Sequence, residues 1–213
     1  MRYTKPMTEF LFIRHGEATN NTAPERIGGQ RIDAPLTDKG RRQAQALGRY
    51  LRHHAIHPQV VFSSGAVRSD ETARLALTEA ALPLDIQPDA RLLEMAQGDY
   101  ENKLRTEVYT PEAIAQYNLT SLEGAMPCGE SIAEVQQRMH SFFEEMATCY
   151  SEGTVLVFGH GLAIRALAGA LRGFNKAQIL AETTPNVSLT AIDSHTTPPA
   201  VHFVGKKVRA EYT

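Results

Sequence analysis

Apolar residues fall into short unbroken runs at Phe10 to Ile13, Val60 to Phe62 and Val155 to Phe158. A run without alternation predicts a strand covered on both faces, because a half-solvated strand would alternate apolar and polar residues. Between these runs the spacing changes to that of helices. Thr37 stands as an N-cap ahead of residues 38–52, where Ala44, Leu47 and Leu51 form an apolar stripe. A second helix is predicted over about 66–81, directly after Ser63-Ser64-Gly65. Ile132, Val135, Met139, Phe142, Phe143 and Met146 recur on one helical face, and the Ala/Leu-rich residues 162–171 predict another helix behind the third strand.

The remaining segments are less regular. Leu84 to Ile86 and Leu92-Leu93 predict short extended pieces around Pro83 and Pro88. Pro58 is expected to close the turn before the second strand. Residues 102–129 mix weak helical patches with Pro111, Pro127 and several tyrosines, which predicts a small helical lid or cap. Residues 187–192 and 201–208, separated by His195-Thr-Thr-Pro-Pro199, predict an antiparallel hairpin. Strands alternating with helices predict an α/β fold, a three-layer sandwich with a mostly parallel central sheet and helices on both faces. A chain of 213 residues suits one domain over 1–213, with the lid at about 102–129 inserted in it.

Composition narrows the classes. With 42% hydrophobic and 22% charged residues, the chain resembles ordinary soluble globular domains, and no self-similar period signals a repeat array. No apolar run approaches the roughly 20 residues needed to span a bilayer. The apolar stretch behind Arg2 and Lys5 is too short for a signal peptide. Two cysteines, Cys128 and Cys149, fit a reducing compartment, so a cytoplasmic protein without a membrane partner is expected. A net charge of −2 lacks the basic excess of a nucleic-acid binder, and no nucleic-acid partner is expected. Nothing in the pattern specifies an oligomeric state.

Ligands of open parallel sheets collect beyond the carboxyl ends of the strands. Three predicted strands end there in polar clusters: Arg14-His15-Gly16, Ser63-Ser64 with Arg68 a turn later, and Gly159-His160-Gly161. Glu94 follows the piece at Leu92-Leu93. Two guanidiniums can fork onto phosphate oxygens. An imidazole among cations is held neutral, and its free lone pair is a nucleophile for phosphorus. A carboxyl group can protonate the leaving oxygen and later take a proton from water.

In matching order from about residue 9 to about 190, these segments resemble the histidine phosphatase superfamily, which includes the cofactor-dependent phosphoglycerate mutases. The resemblance rests first on Arg14-His15-Gly16-Glu17 with Asn21, and on Asp33-Ala-Pro35-Leu36-Thr37 with Gly40 and Gln43-Ala44. It continues through Ser63-Ser64 with Arg68 and Thr72-Ala73, and Leu92-Leu93-Glu94 with Gly98 and Glu101. Gly129-Glu130-Ser131 and Gly159-His160-Gly161 with Ile164-Arg165 complete it. The resemblance implies a phosphohistidine on His15 and a proton donor in Glu94. It implies Arg14, Arg68 and His160 as holders of the phosphoryl oxygens, with Asn21 and Gly161 beside the substrate. It implies neither a cofactor nor a metal, since fixed cationic donors can balance the charge of a transferring phosphoryl group. Ala18, Asn20 and Asn102 depart from the pattern, standing where Ser or Thr, Trp and Gly respectively are common. The first two lie beside the substrate and leave its identity open.

The activity expected is metal-independent hydrolysis of a small phosphorylated metabolite. Two alternatives stand beside it: a mutase-type phosphotransferase, and a non-catalytic phospholigand-binding or interaction module on the same fold. Residues 102–128 are short and carry only Lys103 and Arg105 as basic groups, where mutases tend to carry a larger basic insertion; this favours hydrolysis. Other motifs fall away. Gly159-x-Gly161 lacks the third glycine of a dinucleotide fingerprint, and Glu134 replaces the Arg that a Cys128-centred phosphate loop would need. His53, His54 and His57 read as a solvated helix end. Tyr109, Tyr117 and Met126 suit lid packing and a pocket wall equally, and Asn21 suits a turn and a phosphate ligand equally.

Overall fold

The protein is described here from a computed structural model that covers residues 8–23, 25–31, 33–150 and 152–208. The stretch at Arg2 and Lys5 lies outside the described residues. Strands β1 (Thr8–Arg14), β2 (Pro58–Ser63), β3 (Ile86–Pro88) and β4 (Gly153–Gly159) are parallel, in the order β3-β2-β4-β1. Two antiparallel strands, β5 (Leu189–Asp193) and β6 (Ala200–Lys206), extend the sheet beyond β1. Helices cover both faces, as the unbroken apolar runs require. Phe10, Phe12, Val155 and Val157 pack with α5 (Ile132–Cys149) and α6 (Gly161–Leu171). Leu11, Ile13, Leu156 and Phe158, the alternate positions, pack with α1 (Asp38–His53) and α2 (Val67–Ala80). Each strand therefore supplies two cores at once, one per face of its pleat.

The order β2-β4-β1 sets three strand ends side by side. Beyond them, the His15 N–H bonds the Gly159 carbonyl at 3.0 Å and the Ser64 N–H bonds the Phe158 carbonyl at 3.1 Å. Helix α1 docks beneath this edge. Thr37 caps it by accepting the Gly40 N–H at 3.0 Å, while its own N–H reaches the Glu17 carbonyl at 2.9 Å. The approach leaves no room for a side chain: a Cβ on Gly16 would lie 2.6 Å from the Gly40 oxygen, and one on Gly40 would strike the Glu17 carbonyl. This explains two of the glycines in the motifs, by contact rather than by backbone conformation.

Several local expectations are corrected. Leu92 is not extended; it lies in a 3-10 turn, Ala90–Leu92, because Asp89 accepts the Arg91 N–H at 2.9 Å and stabilises the turn locally. The preceding piece starts at Ile86 and runs to Pro88 as the edge strand β3, where a proline interrupts no ladder on its free side. Pro58 opens β2 instead of closing the turn before it. The hairpin forms, with each strand reaching one residue further toward the turn, to Asp193 and from Ala200, and two residues less far at its other end than the pattern suggested.

Residues 102–129 hold two short helices, α3 (Arg105–Val108) and α4 (Pro111–Gln116), the second capped by Thr110 with Pro111 at its first position. Ile27, Val108 and Met126 form a small core of their own there, with Tyr100, Tyr109, Tyr117 and Leu119 against it. His53, His54 and His57 are exposed at the end of α1, with the His54 ring 4.1 Å from that of Tyr50. No helix among the described residues is long and apolar enough to cross a membrane.

Candidate active site

Beyond the carboxyl ends of β1, β2 and β4 lies a cavity of about 850 Å³. Arg14, His15, Arg68, Glu94, Asn21 and Gly161, all singled out from the sequence, line it. His160 lies behind them, fully buried, with its ring 5.1 Å from that of His15.

The proton on His15 is assigned by its partners. Nδ1 lies 2.6 Å from the Gly16 carbonyl oxygen, which can only accept, so Nδ1 is the donor. Nε2 in turn accepts the Arg68 Nε–H at 3.2 Å, which makes it the nitrogen with the lone pair. Burial, and then the charges of Arg68 and Arg14, hold this imidazole well below its ordinary value of 6.5. His160 is held down for the same first reason, with His15, Arg68, Arg14 and Arg138 adding to it. Its Nδ1 accepts from Arg68 at 3.1 Å, so its Nε2 carries the proton and donates to Ser64 Oγ at 2.9 Å. His15 and His160 are thus neutral in complementary tautomers, joined through one guanidinium.

That guanidinium is 1% exposed. Besides the two rings, Arg68 donates to the carbonyls of Arg31 at 2.7 Å, Gln30 at 3.0 Å and Gly29 at 3.3 Å. It therefore orients both imidazoles and ties the 29–31 loop to the cavity wall. Its position follows from the sequence, since α2 begins immediately after the Ser63-Ser64-Gly65 turn and Arg68 is in its first turn. Arg14, the last residue of β1, anchors one nitrogen on the Thr184 carbonyl at 2.7 Å.

Glu94 caps α6. Its Oε1 accepts the N–H groups of Met95 and Ala163, both at 3.0 Å, and its Oε2 accepts that of Leu162 at 3.1 Å. Arg14, Arg68 and Arg165 lie within electrostatic reach of this carboxylate. The Glu94 loop is itself held by Arg138, which donates to the carbonyls of Arg91, Leu93 and Glu94 at 2.6, 2.7 and 3.1 Å while its fork grips Glu130. Asn21 serves the turn and the wall together: its Oδ1 accepts the Ala18 N–H at 3.2 Å, and it lines the cavity. Tyr109 and Met126 line the cavity and also pack the small core beneath it, whereas Tyr117 packs against that core and is not among the lining residues.

Sequence reasoning gave no role to Arg165, Arg138, Thr184 or Lys176. Arg165 stood in a matched motif and lines the cavity, with its nitrogens on the Gly161, Leu180 and Glu182 carbonyls. Arg138 is one more basic residue on an amphipathic helix, and Thr184 and Lys176 lie in segments without a periodic signal. Among the described residues, no group of three or more His, Cys, Asp or Glu side chains is arranged to hold a metal ion.

The chain is 31% identical over 195 residues to a probable phosphoglycerate mutase, GpmB, of Yersinia pestis (strain Pestoides F), covering 90% of this chain and 87% of that one. The structure is similar to that of Bacillus stearothermophilus YhfR, with a TM-score of 0.82, 27% identity and coverage of 95% of this chain and 100% of the other. The fold is also that of the mycobacterial glucosyl-3-phosphoglycerate phosphatase Rv2419c, with a TM-score of 0.81 at 23% identity over 94% of this chain and 100% of that one. The family model of the histidine phosphatase superfamily (branch 1) matches residues 10–206, and the chain belongs to that superfamily.

Proposed function

We propose that the protein is a phosphomonoester hydrolase acting through a covalent phosphohistidine on His15. The observation that carries this reading is the His15 ring itself: neutral, with Nδ1 pinned on the Gly16 carbonyl and the Nε2 lone pair among the guanidiniums of a cavity. Nε2 attacks phosphorus, the ester P–O bond breaks, and the departing oxygen takes a proton from Glu94. Water then attacks the phosphohistidine, gives a proton back to Glu94, and the P–N bond breaks to release inorganic phosphate. Glu94 Oε2 accepts a single N–H where Oε1 accepts two, which makes Oε2 the oxygen suited to carry that proton. Arg14 and Arg68 balance the charge on the phosphoryl oxygens; the Arg68 Nε–H, which occupies the His15 Nε2 lone pair at rest, leaves it for an incoming phosphoryl oxygen before Nε2 attacks. His160 keeps Arg68 in register; a direct bond from His160 to phosphate requires it to exchange a present partner.

The mutase reading is favoured by the name of the Yersinia relative and by the likeness to a phosphoglycerate mutase structure from Bacillus anthracis. Against it stands the sparse charge of residues 102–128, where Lys103 and Arg105 are the only basic groups. The cavity volume, about 850 Å³, suits a ligand much larger than a three-carbon acid. Supplying a monophosphoglycerate and a set of aryl phosphates separates the two. Release of inorganic phosphate from both is expected, whereas formation of the partner isomer without free phosphate overturns the hydrolase.

A further inference from the structure

We infer that the cavity recognises a second, anionic group on its substrate through Lys176, with Leu180 one turn along taking the apolar body that separates this anion from the phosphate. The inference rests on the hydrolase reading above and names its substrate class: a phosphomonoester whose leaving group is an apolar-bodied acid.

Lys176 is the first residue of α7 (Lys176–Ala181), and it lines the same cavity as His15. Its side chain is half-buried, and burial works against its charge. No hydrogen bond or ion pair within 4.0 Å holds the ammonium among the described residues. The carboxylates of the cavity wall are already engaged. Arg172 grips Glu182 at 2.7 and 2.6 Å, Arg138 grips Glu130 at 2.8 and 3.0 Å, and backbone N–H groups occupy Glu94. Glu123, exposed on the 102–129 segment, faces Lys176 only from beyond ion-pair distance. A partly desolvated ammonium on a cavity wall, without a counter-charge in contact, is stabilised by an anion that the ligand brings.

The second observation is independent of charge. Leu180 is 49% exposed, one of two large apolar side chains so exposed among the described residues, and it too lines the cavity. Residues four apart share a helix face, so α7 presents an ammonium and an isobutyl group together at the cavity wall. Ile114, Leu119 and Met126 line the cavity as well, so an apolar body has a surface to cover. The phosphate end, at Arg14, His15 and Arg68, is built of other elements, and Lys176 is absent from its network.

The test compares kcat/KM for phenyl phosphates bearing a carboxylate on para arms of increasing length with that for the matched neutral carboxamides. For the arm that reaches Lys176, the acid is expected to exceed its carboxamide by about tenfold, through KM, as one charge-assisted contact gives. In Lys176→Met this ratio falls to about one, and in Lys176→Arg it returns, which separates loss of a contact from loss of folding. If no acid outperforms its carboxamide, or if the advantage survives in Lys176→Met, this inference fails while the hydrolase stands. If the wild type releases phosphate from none of these esters, the hydrolase reading fails and the inference falls with it.

Discussion

Replacing Arg68 by methionine removes a charge and five bonded contacts from a site that water barely reaches. The guanidinium is 1% exposed and reaches His15, His160 and the carbonyls of Gly29, Gln30 and Arg31 at 2.7 to 3.3 Å. Each charge-assisted bond contributes roughly 1.5–3 kcal/mol, but three of them share one nitrogen and the 29–31 loop can turn partly to solvent. A net loss of about 3 kcal/mol follows, because the buried carbonyls and ring nitrogens are left without a donor. For a chain of this length that is a fall in Tm of about 10 °C. The rate suffers separately. Removing one fixed donor to a developing anion costs on the order of 10²–10³, so kcat/KM should drop by at least about 100-fold. Arg68 is also the leading charge that depresses His15, so the acid limb of the pH–rate profile should move to higher pH in the variant. Arg68→Lys keeps the charge but cannot span both rings and the loop, and its losses should be intermediate. Chemical denaturation and kcat/KM against pH measure all of this. An Arg68→Met protein within about 1 kcal/mol of wild type in stability and tenfold in kcat/KM would refute the reasoning.

Three further outcomes are expected. His15 and His160 are buried and neutral when folded, while the unfolded chain binds protons as pH falls past 6.5. Their contribution to stability is therefore complete above that pH and is lost below it, by about 2 kcal/mol per imidazole at pH 5; denaturation curves in which His15→Asn and His160→Asn leave the acid slope unchanged would contradict this. Glu94→Gln should slow phosphorylation of the enzyme by alkyl phosphates on the order of 100-fold while sparing the pre-steady-state nitrophenolate burst from nitrophenyl phosphate, whose leaving group departs without a proton, although turnover of both slows because Glu94 also takes the proton from water; equal losses in the phosphorylation step on both would remove Glu94 from the proton-donor role. Gly40→Ala should cost about 1–3 kcal/mol in chemical denaturation, because its Cβ meets the Glu17 carbonyl, and a neutral effect would mean that α1 can retreat from the strand end.

The layers of the fold were readable because period and burial are directly linked. Phe10 and Leu11 are both apolar since each supports a different helical layer, and that is visible without coordinates. What failed was decided by side-chain contacts too local for periodicity to register. The Asp89 cap turned Ala90–Leu92 into a 3-10 turn where two leucines suggested extension. At the site, residues anchored to strand ends were found because a strand end is a sequence feature. Arg138 and Thr184 act through backbone carbonyls and come from segments whose proximity arises only from packing, so no pattern marked them. The division of labour between the two histidines was equally hidden, since it depends on which nitrogen meets the Gly16 carbonyl and which meets Ser64.

Rapid acid-free quenching of a phosphatase reaction with radiolabelled substrate, followed by peptide mapping, tests whether His15 takes up the phosphoryl group. The proposed chemistry predicts an acid-labile, base-stable label on the peptide containing His15, absent from His15→Ala together with turnover. A label on any other residue, or turnover by His15→Ala at the wild-type rate, would contradict it.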